Sequence, residues 1–279
     1  MDTTYSVKTV YSKKILIQLL IFIALPLTTV FAQNTIDIGV VAPMNTAYGD
    51  AMVSGIELYK DQINQDGGIL GKKVVIWVKN DHNNKREAVL VAKKLAGNKN
   101  ILMIIGHYFS STSIAAGTIY KKLEIPAITA SATSTQVTHH NDWYFSIVAN
   151  NRYLANYLIN YLHNHLHLKN ILIIYTSDEY SNNIAEIIEP SLNDLNIELK
   201  GKFEIPPYYE RDQDTFEKSV KHIVNEIKNL DNIGGVIIST HAPSAIKMIT
   251  SLIAKKFKLF YPLITPMGRS LATFLTIPA

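Results

Sequence analysis

The sequence of 279 residues contains no cysteine. No disulfide can form, so even in an oxidising compartment the fold must be stable on its core alone. Charge of one sign is also scarce: the formal net charge is +4, and half of it belongs to residues 1–32, where Lys8, Lys13 and Lys14 stand against Asp2. What remains is small and scattered, which excludes a nucleic-acid footprint. The lysine pairs at Lys72–Lys73, Lys93–Lys94, Lys121–Lys122 and Lys255–Lys256 read as solvated helix and turn faces. A Gly-x-Ser-x-Gly elbow, a Walker loop and a dinucleotide fingerprint are all missing. With no nucleophile at a recognisable spacing from a base, neither an enzyme nor a cofactor is expected. Hydrophobic residues at 47% and charged residues at 18% exclude both a disordered chain and a polytopic membrane protein.

Residues 1–32 have the three parts of a secretory signal. Lys13 and Lys14 supply the positive region, and an apolar run follows from Ile15 to Leu27, interrupted by Gln18. Val30-Phe31-Ala32 then offers small residues before Gln33. The run is shorter than the ~20 residues that span a bilayer, so a signal cleaved after Ala32 is expected, with an uncleaved anchor as the alternative. No cysteine follows the run, which rules out lipid attachment there.

From Thr35 onward, short apolar runs alternate with segments of helical period. Strands are expected at Ile36–Ala42, Val74–Val78, Ile101–Ile105 and Pro126–Thr129, with helices at Asp50–Asp66, Lys85–Gly97 and Ser111–Leu123 between them. Asp66-Gly67-Gly68 stops the first helix, because glycine takes the left-handed conformation cheaply. Continuous apolar strands between helices indicate parallel sheets covered on both faces.

A second run of the same kind starts after Trp143–Val148. Its first helix carries Leu154, Tyr157, Leu158, Tyr161 and Leu162 on one stripe. Strand Asn170–Tyr175, a helix near Asn183–Leu195 and a strand near Ile197–Glu204 follow, then a helix bearing Phe216, Val220, Ile223, Val224 and Ile227. Strand Gly235–Ser239, a helix with Ile246, Ile249, Thr250 and Ile253, and strand Phe260–Ile264 complete it. The expected organisation is α/β: a signal peptide at 1–32, a first lobe at 33–149 and a second lobe at 150–279. In such sheets ligands bind beyond the carboxyl ends of the strands, so the cleft between the lobes is the expected site.

Three loops after strands carry the informative chemistry. Gly106-His107-Tyr108-Phe109-Ser110-Ser111-Thr112-Ser113 opens a helix with four hydroxyl residues. Beside free backbone N–H groups these make a receptor for a carboxylate; ordinary N-capping by one of them is the alternative. Thr129-Ala130-Ser131-Ala132-Thr133-Ser134-Thr135 offers carbonyls and hydroxyls that can hold an ammonium or amide group. In Ala47-Tyr48-Gly49-Asp50, Tyr48 can wall a pocket or be a plain loop aromatic. His163 and His167 stand at i, i+4, a spacing that chelates zinc, but no third ligand accompanies them, so no metal site is expected.

These loops, with Ile38-Gly39-Val40-Val41-Ala42-Pro43, Tyr48-Gly49-Asp50, Ile63-Asn64 followed by Gly67-Gly68-Ile69 and Gly71, and Ile125-Pro126, resemble the periplasmic leucine/isoleucine/valine-binding proteins of ABC transporters. The resemblance runs in order through most of residues 34–265 and implies the two-lobed type I periplasmic-binding-protein fold. It implies that Ser110, beside Ser111, meets a ligand carboxylate, and that Ser131 and Thr133 offer a carbonyl and a hydroxyl to the ammonium group. Tyr48 and Tyr180 would be the aromatic walls of the two lobes, with His241 helping to complete the pocket. It further implies a small amino-acid-like or amide ligand, a membrane permease as partner, a periplasmic location, a monomer and no cofactor or metal.

Two departures from the family pattern bear on the ligand, and a third, the cysteine pair, on stability. Thr240-His241-Ala242-Pro243 stands where the family usually places an aromatic. Thr265-Pro266-Met267-Gly268-Arg269 lacks the acid that would neutralise an ammonium group, and the usual cysteine pair near Asp81-His82 is missing. An amide, a urea-like compound or an acidic ligand therefore stays open. The chain also ends at Ala279, before the family's return to the first lobe, and a C-terminally truncated fold is expected. The same fold serves as the sensor domain of membrane receptors, the alternative to a transporter role.

Overall fold

The computed structural model describes residues 35–208, 212–254, 263–264 and 270–276. The expected secretory signal and the Thr265–Arg269 stretch lie outside the described residues. The first sheet contains β1 (Thr35–Ala42), β2 (Lys73–Asn80), β3 (Ile101–Ile105), β4 (Ala127–Thr129) and β5 (Tyr144–Ser146), in the order β2-β1-β3-β4-β5. All four pairings are parallel. Helices α1 (Ala47–Gln65), α2 (Lys85–Ala96) and α3 (Ser110–Leu123) connect its strands.

Because successive residues of a strand face opposite sides, β1 feeds two cores at once. Val40 and Ala42 pack with Val53 of α1, whereas Val41 packs with Ala88, Ala92 and Leu95 of α2 and Ala116 and Tyr120 of α3. The first helix ends at Gln65, and Gly67 and Gly68 follow with φ of +96° and +79°. A Cβ on Gly68 would stand 2.2 Å from the Lys72 carbonyl oxygen, so the Asp66-Gly67-Gly68 stop is set by sterics as well as by the helix end.

The second sheet has the order β7-β6-β8-β10-β9, from β6 (Asn170–Thr176), β7 (Glu198–Ile205), β8 (Gly235–His241), β9 (Leu263–Ile264) and β10 (Ser270–Thr276). Around it lie α4 (Asn151–Asn164), α5 (Glu179–Asp194), α6 (Gln213–Lys228) and α7 (Ala242–Ala254). Strand β6 is buried on both faces, Leu172 and Ile174 toward α6 and α7 and Ile171 and Ile173 toward α4 and α5. Each such side chain contributes about 1.5–3 kcal/mol by leaving water. Strand β10 runs antiparallel to β8, pairing Ser270 with His241 and Thr276 with Gly235. The sequence pattern, which pointed to parallel strands, does not anticipate it.

Two helix faces differ from the sequence expectation. On α4 the buried stripe is Ala155, Leu158, Ile159 and Leu162, and Tyr157 is exposed. On α7 it includes Ala245, Met248 and Leu252, leaving Ile246 exposed. In both helices apolar residues occur on more than one face, and packing against the rest of the lobe decides which of them are buried. On α6 the buried set is the expected one, from Phe216 to Ile227.

Candidate functional site

The loops that leave the carboxyl ends of β1, β3 and β4 meet those leaving β6 and β8. Four of the helices around them begin with a side-chain cap: Thr46 accepts from Gly49 N, Asn84 from Arg86 and Glu87 N, Asn150 from Tyr153 N, and Asp178 from Tyr180 and Ser181 N. Helix α3 differs. Its cap position is Phe109, which makes no side-chain cap bond.

Three of the four hydroxyls at the start of α3 are engaged elsewhere. Ser110 Oγ accepts from Ser134 N (3.3 Å), Thr112 Oγ1 donates to Phe109 O (3.1 Å), and Ser113 Oγ donates to His107 O (3.2 Å). The half-buried Ser111 hydroxyl has no protein partner among the described residues. The first N–H groups of α3 thus have no side-chain cap, and that end of the helix macrodipole favours negative charge.

A buried network holds this loop from beneath. His107 and Asp81 are both fully buried, with Nδ1 2.7 Å from the Asp81 carboxylate and Nε2 2.8 Å from the Tyr120 hydroxyl. Tyr144 accepts from His107 N (2.8 Å) and donates to Gly106 O (2.5 Å). The His107 carbonyl accepts from Thr129 Oγ1 (3.0 Å) as well as from Ser113. Burial pushes the Tyr120 and Tyr144 hydroxyls well above their usual range, so both serve as neutral hydrogen-bonding groups.

Above the loop, rings run from one lobe to the other. Tyr48 stacks on Tyr108 at 5.7 Å and meets the edge of Phe109 at 6.1 Å. Phe109 contacts His241 edge-on at 5.3 Å, and His241 stacks on Tyr180 at 5.0 Å. His241 Nε2 lies 3.5 Å from Asp178 Oδ1. Ser131 Oγ donates to Tyr108 O (2.7 Å). Thr133 O accepts from Asn151 N (2.8 Å), and Thr133 Oγ1 is buried without a partner.

Contacts therefore link Tyr48, Ser131, Tyr180 and His241 through Tyr108 and Phe109, and Ser110 and Thr133 border the same loops. Ser111 shares the helix start but touches none of the others through its hydroxyl. Sequence reasoning missed Phe109, Tyr108, Asp178, Asn151 and Asn183. Two adjacent aromatics inside a strand–helix loop were a usable signal for the first pair, and Asp178 before a helical segment was one for the cap. Nothing in the sequence marks Asn183.

Burial pushes the Asp178 carboxyl up, but hydrogen bonds and charge from His241, with the Thr176 hydroxyl and Ser181 N–H, outweigh it and hold the group below the usual carboxylate value. A depressed folded value means that the native state stabilises the ionised form. That contribution is complete above the unfolded value, near pH ~4, and is lost as pH falls through the folded one. Asp178→Asn keeps a capping oxygen and removes the charge. The stability difference between the two chains is expected to be full at pH 6 and to shrink steadily below pH ~4; urea unfolding across that range measures it, and a constant difference would contradict the assignment.

The family model described as periplasmic binding protein matches residues 35–266. The chain belongs to the periplasmic binding protein family. Within it, a Pseudomonas aeruginosa protein named amino acid binding protein is 28% identical over 184 residues, covering 63% of this chain and 49% of the relative. A Leu/Ile/Val-binding protein homolog from Brucella abortus is 26% identical over 167 residues, covering 59% and 45%. The chain spans about half the length of these curated relatives. A solved ABC transporter substrate-binding protein from Desulfitobacterium hafniense superposes with a TM-score of 0.65 at 24% identity, over 79% of this chain and 63% of that one. The fold is that of the type I periplasmic binding proteins, a family of solute-binding proteins.

Proposed function

We propose that the chain captures a small amino-acid-like solute between its two lobes, 33–149 and 150–279, and presents it to the permease of an ABC transporter. The observation that carries this reading is the meeting of the β3, β4, β6 and β8 loops around a helix start that no side chain caps. In this reading the first turn of α3, with Ser110 and Ser111, receives a ligand carboxylate. Ser131 and Thr133 face its nitrogen, and Tyr48, Tyr180 and His241 form the walls.

The names of the amino-acid-binding relatives support the ligand class. Solute bound to the first lobe favours the closed arrangement to the extent that the second lobe adds contacts. Residues 1–32 act as the export signal, and the protein works in the periplasm as a monomer.

A thermal melt of the chain with a panel of amino acids, amides and urea analogues tests this. A true ligand at ~100 times its Kd adds about 2.7 kcal/mol of stability, seen as a rise in melting temperature confined to one chemical class. A cooperative melt that no compound shifts would refute the proposal.

A further inference from the structure

One side chain of the first lobe reaches across to the second. Phe109 stands between β3 and α3, at the cap position that makes no side-chain cap bond. It is half-buried, and among the described residues it belongs to none of the buried apolar clusters of either lobe. Its ring instead meets Tyr48 of α1 at 6.1 Å, Tyr108 at 5.1 Å and His241 at the end of β8 at 5.3 Å, each edge to face. At that spacing the Phe109 and His241 rings are in van der Waals contact, and no solute atom fits between them. Tyr48, Tyr108 and His241 are themselves half-buried, so this bridge of rings keeps surface that a solute can meet.

Both ends of the bridge are held. The Phe109 carbonyl accepts from Ser113 N (3.0 Å) and Thr112 Oγ1 (3.1 Å), and the Tyr108 carbonyl accepts from Ser131 Oγ (2.7 Å), which pins the loop backbone. On the other side, His241 stacks on Tyr180 at 5.0 Å, and its Nε2 lies 3.5 Å from Asp178 Oδ1. Tyr180 is packed into the core of the second lobe, so His241 has firm backing. The bridge opens by rotation of the Phe109 side chain or by separation of the lobes. Either way the ring contact between the lobes is lost.

We infer that Phe109 sets the size limit of the solute, so that the chain takes a compact molecule of the size of glycine, alanine or acetamide and not a branched one such as leucine. The inference rests on the solute-binding reading and makes Phe109 a specificity-determining residue. A carboxylate received at the first turn of α3 leaves the rest of the solute on the side of the second lobe, in the space that the Phe109 ring crosses. A compact solute fits beside the closed bridge. A branched one must first break the contact between Phe109 and His241, and its binding is weakened by the ring packing so lost.

The test is a size series in two chemistries: glycine, alanine, valine and leucine, and acetamide with 4-methylpentanamide. Calorimetric titration of the unsubstituted chain is expected to show the compact members of at least one series binding tenfold or more above the branched ones. In Phe109→Ala the affinity of the largest member relative to the smallest is expected to rise at least tenfold, and Phe109→Leu should fall between. An unsubstituted chain that binds leucine or 4-methylpentanamide as tightly as the compact members overturns the inference. So does a ratio that Phe109→Ala leaves unchanged.

Phe109 lies outside the buried clusters, so the variants are expected to fold, which a thermal melt checks. Should Phe109→Ala not fold, Phe109→Leu and the series on the unsubstituted chain decide the matter. If branched compounds bind and compact ones do not, only this inference falls; if nothing binds, the solute-binding reading falls with it.

Discussion

His107→Ala is expected to lower the unfolding free energy by about 3–5 kcal/mol, from buried hydrogen-bonding groups left without a partner at about 1–3 kcal/mol each and the volume of the lost ring. His107 and Asp81 have no exposed side-chain surface, so water cannot take over the lost bonds. The substitution leaves the Asp81 carboxylate without its Nδ1 partner and the Tyr120 hydroxyl without Nε2.

At about 2–4 °C per kcal/mol for a chain of this size, the melting temperature should drop by roughly 6–20 °C. The double variant with Asp81→Ala should lose less than the sum of the single losses, because the two residues share one network. A single-variant loss under ~1 kcal/mol would mean that the pair is not closed as described. The consequence reaches the candidate site, since the His107 carbonyl accepts from Ser113 in α3 and from Thr129 at the end of β4.

Gly106→Ala should be as damaging by a different route. Gly106 has φ of +134°, a region where side chains are disfavoured, and a Cβ there would stand 2.2 Å from the Val41 carbonyl oxygen. Val41 is fully buried in β1, an interior strand of the first sheet, so the obstructing atom cannot swing aside as a flexible side chain would. Relief requires moving Gly106 itself, which breaks its bonds to Ile128 O and to the Tyr144 hydroxyl.

A loss of about 3–5 kcal/mol is expected for such backbone strain in a core, read as a fall in the urea midpoint. Gly55→Ala is the control. That glycine sits in α1 with nothing within 4 Å of a built Cβ, and alanine there should stabilise slightly. Equal effects at the two positions would show that the Gly106 geometry is not what constrains the residue.

The alternation of apolar strands and periodic helices, read without coordinates, set the element order from Thr35 to Ala254. The bounds of strand Ile101–Ile105 and the buried face of α6 match the structure, although Leu102 in that strand is exposed. Hydrophobic period is a local property, and wherever one face of an element must be dry it is written into neighbouring residues. The same rule misled on α4 and α7, where several faces are apolar enough and tertiary packing selects Ala155 over Tyr157 and Met248 over Ile246.

Composition and spacing likewise determined that loops rich in hydroxyls follow β3 and β4, but not what each hydroxyl touches. Tertiary structure alone decided that Ser110 serves Ser134 while Ser111 has no protein partner among the described residues, that Phe109 meets His241, and that Asn151 and Asn183 join the lobes through Thr133 and Thr135. These contacts link residues far apart in the chain, 132 positions in the case of Phe109 and His241. Their geometry depends on how two separately built sheets come together, and no local pattern of side chains encodes that.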